Sequence, residues 1–219
     1  DTEGEWDALK AESIDGDRAV PYSRRPLYPL ALTPFWALGG LGGGLVLSAL
    51  GTLVAAITSG LIARQLRPGA ELWALWLVGL GTPLLYDTYL LVGHSSAAAL
   101  SALVALAVVH ALRCRHADGY DGKRLLTWGA FGVAAAVPLT LIRTEGAIVV
   151  LALALATVLC GCTLRRPTSQ TSLAYLALGC ALAASGAVTY VLNDVWARSI
   201  TSASAGDVTS FDRASDPLA

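Results

Sequence analysis

The feature that most constrains this chain is a stretch from Pro26 to Ala63 that contains no charged residue. As a single α-helix it would be about 57 Å long, nearly twice the thickness of a bilayer core. A helix in a membrane has to break within such a stretch, and the segment GGLGGG at residues 39–44 is where the backbone turns most easily. We therefore predict a short interfacial or re-entrant helix over Pro29–Leu38 and a first membrane span over Leu41–Ala63.

Apolar blocks of membrane-spanning length continue along the rest of the chain, separated by short polar segments. Charged residues make up 14% of the sequence, against a usual quarter. This pattern predicts an all-α fold, a polytopic transmembrane helical bundle of about six spans plus the interfacial or re-entrant helix. The net charge of −1 argues against nucleic acid as a partner. The five further spans are predicted at Leu72–Leu91, Ser95–Leu112, Leu125–Ile142, Gly146–Cys162 and Leu173–Leu192.

Lysine and arginine residues are distributed unequally between the two sets of short loops, which predicts the orientation of the bundle. One set of loops is rich in cations, whereas the opposite set contains only Arg143. The cation-rich loops are predicted to be cytoplasmic, so both ends of the chain face outward. We predict an extracytoplasmic acidic loop over residues 1–28, a transmembrane domain over 29–192, and an outer tail or the start of a truncated outer loop over 193–219. The cytoplasmic cations are Arg64, Arg67, Arg113, Arg115, Lys123, Arg124, Arg165 and Arg166.

The acidic motif DTEGEWD opens the chain and places Asp1 and Glu3 close together. Closely spaced carboxylates can act as a general base or bind a hard divalent cation. The alternative is a solvated acidic helix start, where negative charge suits the helix dipole. The absence of methionine predicts that the chain is part of a longer protein.

Asp87 and His94 lie in the segment YDTYLLVGH at the predicted outer face. They are seven residues apart, so a continuous helix would stack them on one face, although Pro83 can break the span here. A carboxylate at mid-bilayer costs about 2.5–3.5 kcal/mol, so its presence calls for a reason. Two interpretations stay open: a polar boundary of the outer leaflet, or a site at the mouth of the membrane.

The segment RTEG, at residues 143–146, interrupts the apolar sequence from Leu125 to Leu164. As one helix that sequence would be about 60 Å long, so we predict two spans joined by a hairpin at Arg143–Glu145. An Arg–Glu ion pair could close the hairpin, although burial of such a pair adds little net stability. Arginine at this depth also binds phosphate, either that of membrane lipid head groups or that of a substrate.

Four cysteines, at positions 114, 160, 162 and 180, lie in or near the apolar blocks. The pair Cys160 and Cys162 has metal-ligand spacing, but no histidine or second pair lies near it in the sequence. We therefore interpret the cysteines as small buried thiols.

Taken in order, these motifs resemble those of a known family. After the acidic motif come YSRRPLYPLAL, TPLLYDTYLLVGHSSAAAL, LIRTEGAIVVLALAL and YVLND. The series resembles the GT-C superfamily of polytopic membrane glycosyltransferases, especially bacterial and archaeal relatives of the dolichyl-phosphate-mannose mannosyltransferases. His94 matches the histidine of the family's Glu-His pair, with Gly93 in place of the glutamate. Thr144 replaces the proline of the family's hairpin motif, and Asn193 matches its asparagine.

The resemblance implies an enzyme of the prokaryotic plasma membrane that transfers a sugar from a polyprenyl-phosphate-linked donor to a glycan, lipid or protein acceptor at the outer face. It implies that Asp1 or Glu3 is the catalytic base, or binds a divalent cation such as Mg²⁺ or Mn²⁺. Two alternatives stay open: a transporter or lipid-handling protein, or a non-catalytic relative. The residues expected to bind the substrate are Asp87, His94, Arg143, Glu145 and Asn193.

Overall fold

The computed structural model describes residues 27–89, 93–113, 115–116, 119–120, 122–163 and 169–214. Almost all of these residues are helical, which confirms the predicted all-α fold. A short antiparallel hairpin pairs β1 (Arg115–His116) with β2 (Gly119–Tyr120). The helices are α1 (Leu27–Leu66), α2 (Glu71–Leu80), α3 (Leu84–Asp87), α4 (His94–Leu112), α5 (Gly122–Ile142), α6 (Gly146–Thr163) and α7 (Ser169–Ala214).

Four of the described helices are long and apolar enough to cross a membrane, as expected of an integral membrane protein. They are α1, α4, α5 and the part of α7 from Leu173 to Trp196. Two shorter apolar helical segments, Glu71–Leu80 and Gly146–Cys160, overlap with the other two predicted spans. Four membrane-length helices are therefore present in the described part of the chain, and the count of six spans stays a prediction.

Helix α1 contains the predicted break. Gly40 has φ 54° and ψ −135°, a conformation that glycine adopts without the steric penalty of a Cβ. A Cβ at Gly43 would collide with the carbonyl oxygen of Phe35, so the backbone passes close to itself at this kink. The long charge-free stretch is thus divided at the glycine segment, with a short helical piece before the kink and a longer one after it.

The second predicted span, Leu72–Leu91, is divided in the structure into α2 and the single-turn helix α3. The break lies at residues 81–83, where Gly81 ends α2 and Pro83 precedes α3. Proline lacks the N–H that would continue the backbone ladder, and its ring clashes with the preceding turn. Both pieces run antiparallel to α1, with Gly60 of α1 packed against the start of α2.

The core consists of small and medium side chains at the crossings of α4, α5, α6 and α7. Val104, Leu139 and Leu182 are among its most buried members, and Tyr175 donates a hydrogen bond of 3.3 Å to the carbonyl of Leu112. Many large apolar side chains instead lie on the outer surface of the helices, where they would contact lipid. A bilayer removes the need to bury these side chains inside the protein.

The cysteines follow this outward pattern, so the prediction that they are buried is wrong for three of them. Cys160, Cys162 and Cys180 are exposed on the outer faces of α6 and α7. The prediction equated an apolar sequence with burial in the protein, whereas a membrane helix directs much of its apolar surface toward lipid.

The helix termini meet at two opposite ends of the bundle. At one end, which we call the Arg143 end, Gly93 lies against Tyr28 and Ile142, so the start of α1, the start of α4 and the end of α5 converge. At the other, which we call the basic end, Arg113 after α4 contacts Gln65 near the end of α1. The two ends carry different sets of polar residues.

Helix α7 does not stop at the predicted domain boundary after Leu192. It continues through Asn193 to Ala214, so Asn193 lies inside a helix.

Candidate functional site

The single-turn helix α3 and the start of α4 bring Asp87 and His94 together at the Arg143 end. The His94 Nδ1 atom lies 3.6 Å from the Asp87 Oδ1 atom, within ion-pair range when the imidazole is protonated. The His94 side chain is 43% exposed and that of Asp87 is 18% exposed. The pair does not share one continuous helix, because α3 ends at Asp87 and α4 begins at His94.

The hairpin between α5 and α6 carries Arg143 and Glu145 at the position that the sequence predicts. Three short backbone hydrogen bonds close it, from the N–H groups of residues 146, 147 and 148 to the carbonyls of residues 143, 144 and 145. Glycine is required at position 146, because a Cβ there would lie 2.8 Å from the Cγ of Leu139. Helix α6 therefore begins directly after the turn, and the side chains of Arg143 and Glu145 lie next to each other.

Glu145 holds the Arg143 guanidinium in one plane. The Nε and Nη2 atoms of Arg143 each lie 3.3 Å from a different carboxylate oxygen of Glu145, which is a bidentate arrangement. The Arg143 side chain is 24% exposed and that of Glu145 is 55% exposed. In this arrangement Nη1 of Arg143 makes no hydrogen bond to the described residues, so the guanidinium keeps donors for a ligand.

His94, Arg143 and Glu145 all line one cavity of about 230 Å³ between α4, α5 and α6. The rest of its lining is small or apolar, including Ala97 and Leu139, with a single hydroxyl from Ser101. Arg143, which is cationic, and His94, which can become cationic, thus line the same mostly apolar cavity. The cavity also lies at the N-termini of α4 and α6, where the helix dipoles favour negative charge.

A second cavity, of about 520 Å³, lies on the other side of α6, between α6 and α7. Glu145 lines both cavities, and Thr144 and Tyr190 add hydroxyl groups to the second one. Below these polar groups its walls are apolar, with Ile148 and Leu151 on the α6 side. Glu145 therefore separates a cavity that contains cations from one that is mainly apolar.

The largest of the described cavities, about 730 Å³, lies away from these charges. It is a groove between α5 and α7 whose lining consists of glycine, alanine, valine and leucine, among them Leu125 and Leu178. It contains no group that can bind charge or transfer a proton, so its chemistry is that of a lipid-facing surface.

Asn193 lies at the Arg143 end and is 2% exposed. Both its amide nitrogen and its amide oxygen are buried without a hydrogen-bond partner among the described residues. Helices α5 and α7 run parallel, with Gly129 against Leu178 and Gly132 against Leu182, a sequence offset of about 50 residues. The same offset places Asn193 level with Arg143 along the bundle. A buried amide without partners is costly, so it marks a position where a ligand or water would be bound.

The structure also shows polar residues that sequence reasoning missed. Tyr28 and Ser48 share a hydrogen bond of 3.2 Å between their hydroxyl oxygens. One turn later along α1, Thr52 contacts the Thr88 hydroxyl at 2.8 Å. The spacing of Ser48 and Thr52 in an apolar helix could have indicated a polar face, but nothing in the sequence identifies the helix that this face contacts.

The two predicted catalytic residues, Asp1 and Glu3, lie outside the described residues. Within the described ranges, no group of three or more His, Cys, Asp or Glu side chains has a geometry that would hold a metal ion. The structure therefore brings Asp87, His94, Arg143 and Glu145 to one end of the bundle with Asn193, and leaves the acidic motif as a prediction.

Comparison with known proteins finds no matching family model, curated protein or solved structure.

Proposed function

We propose that this chain is part of an integral membrane glycosyltransferase of the GT-C type, which transfers a sugar from a polyprenyl-phosphate donor to an acceptor at the extracytoplasmic face. One observation carries the proposal: Arg143, held by Glu145, and His94, next to Asp87, line the same cavity at one end of a bundle of membrane-length helices. The proposal includes six spans and the orientation predicted from the loop charges.

The depth of the cavity suits a lipid-linked phosphate. A polyprenyl chain lies in the hydrocarbon region and its phosphate lies at the interface, which is where the termini of spanning helices are found. The Arg143 guanidinium can offer paired N–H donors to phosphate oxygens, because Glu145 fixes its plane and leaves Nη1 available. His94 faces the same space from the start of α4.

In the expected reaction, the main electrostatic role of these cations is to stabilise negative charge on the leaving phosphate. The acceptor hydroxyl oxygen attacks the anomeric carbon, the bond from that carbon to the phosphate oxygen breaks, and the polyprenyl phosphate leaves with an additional negative charge. Arg143 and His94 would stabilise that charge as it develops, while Asp1 or Glu3 would accept the proton from the hydroxyl. Asn193 would bind a polar group of the donor or acceptor level with Arg143.

The resemblance leaves a divalent cation such as Mg²⁺ or Mn²⁺ open as a cofactor. Its predicted ligands, Asp1 and Glu3, are not among the described residues.

Sugar transfer by the full-length protein in liposomes that contain a lipid-linked donor tests the proposal. Arg143→Ala and Asp1→Asn are each expected to abolish transfer, whereas the matched variant Arg113→Ala, at the basic end, keeps it. Retention of transfer by both of the first two variants contradicts the assignment. Uptake of a solute into proteoliposomes without donor lipid would instead support a transporter, and donor binding without turnover in the wild-type protein would support a non-catalytic relative.

A further inference from the structure

Two adjacent residues of α1, Gly51 and Thr52, contact the two segments that carry the Asp87–His94 pair. Gly51 lies against the first turn of α4: a Cβ at this position would be 2.7 Å from the carbonyl carbon of Ser95 and 2.8 Å from the backbone nitrogen of Ser96. The two backbones are therefore in close contact, and only glycine fits between them. His94 immediately precedes Ser95 in the chain, so this contact lies next to the histidine.

Thr52 contacts the other segment, the single turn of α3. Its hydroxyl is buried, lies 3.2 Å from the carbonyl oxygen of Leu84 and lies 2.8 Å from the hydroxyl of Thr88. Leu84 and Thr88 lie at the two ends of α3, with Asp87 between them. The Thr52 hydroxyl thus joins α1 to both ends of the turn that carries the carboxylate.

The contacts of Thr52 matter because the single turn of α3 is too short to be stable by itself. A single helical turn is unstable in isolation, since nucleation costs more than one turn of hydrogen bonds returns. The break at Gly81 and Pro83 also disconnects α3 from the backbone ladder of α2. The location of Asp87 therefore depends on tertiary contacts, two of which come from the Thr52 hydroxyl.

We propose that Gly51 and Thr52 are positioning residues, which fix the start of α4 and the turn of α3 relative to each other and so set the Asp87–His94 geometry. Asp87 then orients the His94 imidazole toward the cavity that it shares with Arg143. The positioning can be tested without reference to any activity. Its consequence for a lipid phosphate rests on the proposed function.

A cross-linking rate measures the positioning directly. In a protein whose native cysteines are replaced by serine, Asp87→Cys and His94→Cys introduce two thiols at the positions of the ion pair, and a short reagent with two thiol-reactive groups links them. Cross-linking is expected to slow about fivefold when Thr52→Val is added, the effect of losing one hydrogen bond of about 1 kcal/mol. Thr52→Ser keeps the hydroxyl and is expected to restore the rate. Equal rates with Thr, Ser and Val at position 52 overturn the proposal.

Two further variants separate positioning from general damage. Thr33→Val removes another hydroxyl of α1, one that donates to the carbonyl of Pro29 on the exposed surface, and should leave the rate unchanged. Thr88→Val removes the opposite partner of the contact and should slow cross-linking as Thr52→Val does, so the proposal stays testable if Thr52→Val does not fold. An unchanged rate in Thr88→Val contradicts the role of the Thr52–Thr88 contact.

A double-mutant cycle tests the route through Asp87 to the ligand. Binding of a polyprenyl phosphate in nanodiscs is measured for Thr52→Val, Asp87→Asn and the double variant. If Thr52 acts through Asp87, the double variant binds no more weakly than Asp87→Asn alone. Additive losses overturn this route. If the wild-type protein binds no polyprenyl phosphate, the proposed function fails, while the cross-linking result still decides the positioning.

Discussion

The two ends of the helical bundle use cationic residues in different ways. At the Arg143 end, Arg143 is held by two contacts to the Glu145 carboxylate, and His94 lies 3.6 Å from Asp87. At the basic end, Arg113 donates from Nη1 to the neutral amide oxygen of Gln65 at 3.1 Å on the exposed surface. The first arrangement orients a guanidinium in a cavity, and the second holds a cation loosely at the surface.

The aromatic contacts show the same difference. Near the basic end, His110 stacks on Trp128, with ring centroids 4.1 Å apart and planes 6° from parallel, and Phe131 meets the edge of Trp128. His94, at the Arg143 end, faces a carboxylate and a cavity instead. Histidine in a membrane helix can thus be a packing residue or a candidate ligand-binding residue, and the neighbouring residues decide which.

The largest effect is expected from a substitution that keeps the charge at position 143 and removes the guanidinium. Arg143→Lys is expected to weaken binding of a polyprenyl phosphate about thirtyfold, the loss of one charge-assisted hydrogen bond of about 2 kcal/mol. Arg113→Lys should change it by less than about twofold, because Arg113 makes a single exposed contact. Equilibrium binding in nanodiscs measures both. Equal effects at the two ends would show that only net charge matters.

The second prediction concerns stability at the Arg143 end. Gly51→Ala is expected to lower the free energy of unfolding by about 1–3 kcal/mol, since the added methyl group overlaps backbone atoms of Ser95 and Ser96. Gly42→Ala is the matched control in the same helix, because a Cβ there meets nothing within 4 Å. Thermal unfolding in detergent compares them. A control that is destabilised as much as Gly51→Ala would contradict the close approach of α1 and α4.

A smaller effect is expected from the partner of Arg143. Glu145→Gln retains the size of the side chain but removes the charge that holds the guanidinium, and should weaken phosphate binding about tenfold, or about 1.4 kcal/mol. Gln65→Ala removes the partner of Arg113 and should leave binding unchanged. Stronger binding by Glu145→Gln would show that the carboxylate mainly repels the ligand and does not orient Arg143.

The smallest effect belongs to the basic end. Trp128→Leu removes the stack on His110 and the edge contact to Phe131, and should cost about 0.5–1.5 kcal/mol of stability beyond the lost apolar area. Polyprenyl-phosphate binding at the other end should not change. Thermal unfolding and binding, measured on the same preparation, check both expectations, and a loss of binding would contradict the separation of the two ends.

Much of the fold could be read from the sequence because membrane helices are specified by length and hydropathy. The predicted span Ser95–Leu112 corresponds to α4, which begins one residue earlier, and the predicted turn at Arg143–Glu145 is the α5–α6 hairpin. The kink at Gly40 lies in the glycine segment where the predicted break was placed. These features are local, since each depends on residues within a few turns of one another.

The candidate site was predictable only as a set of residues. The spacing of Asp87 and His94 would stack them on one face only if the helix were continuous, whereas in the structure they lie at the end of α3 and the start of α4. Thr52 and Thr88 are 36 residues apart, and no local pattern predicts that their hydroxyls meet. Burial of the apolar cysteines was predicted wrongly, because hydropathy does not distinguish a side chain that faces lipid from one that faces protein.

The sequence alone specifies a bundle of apolar helices whose charged residues lie outside most of the apolar spans. The reason is that a bilayer core excludes charge and requires each helix to satisfy its own backbone. Which charged side chains meet depends on the tertiary fold. Helices α4, α5 and α6 place His94 beside Arg143 and Glu145, some 50 residues away, because close packing of small side chains sets how the helices lie against one another.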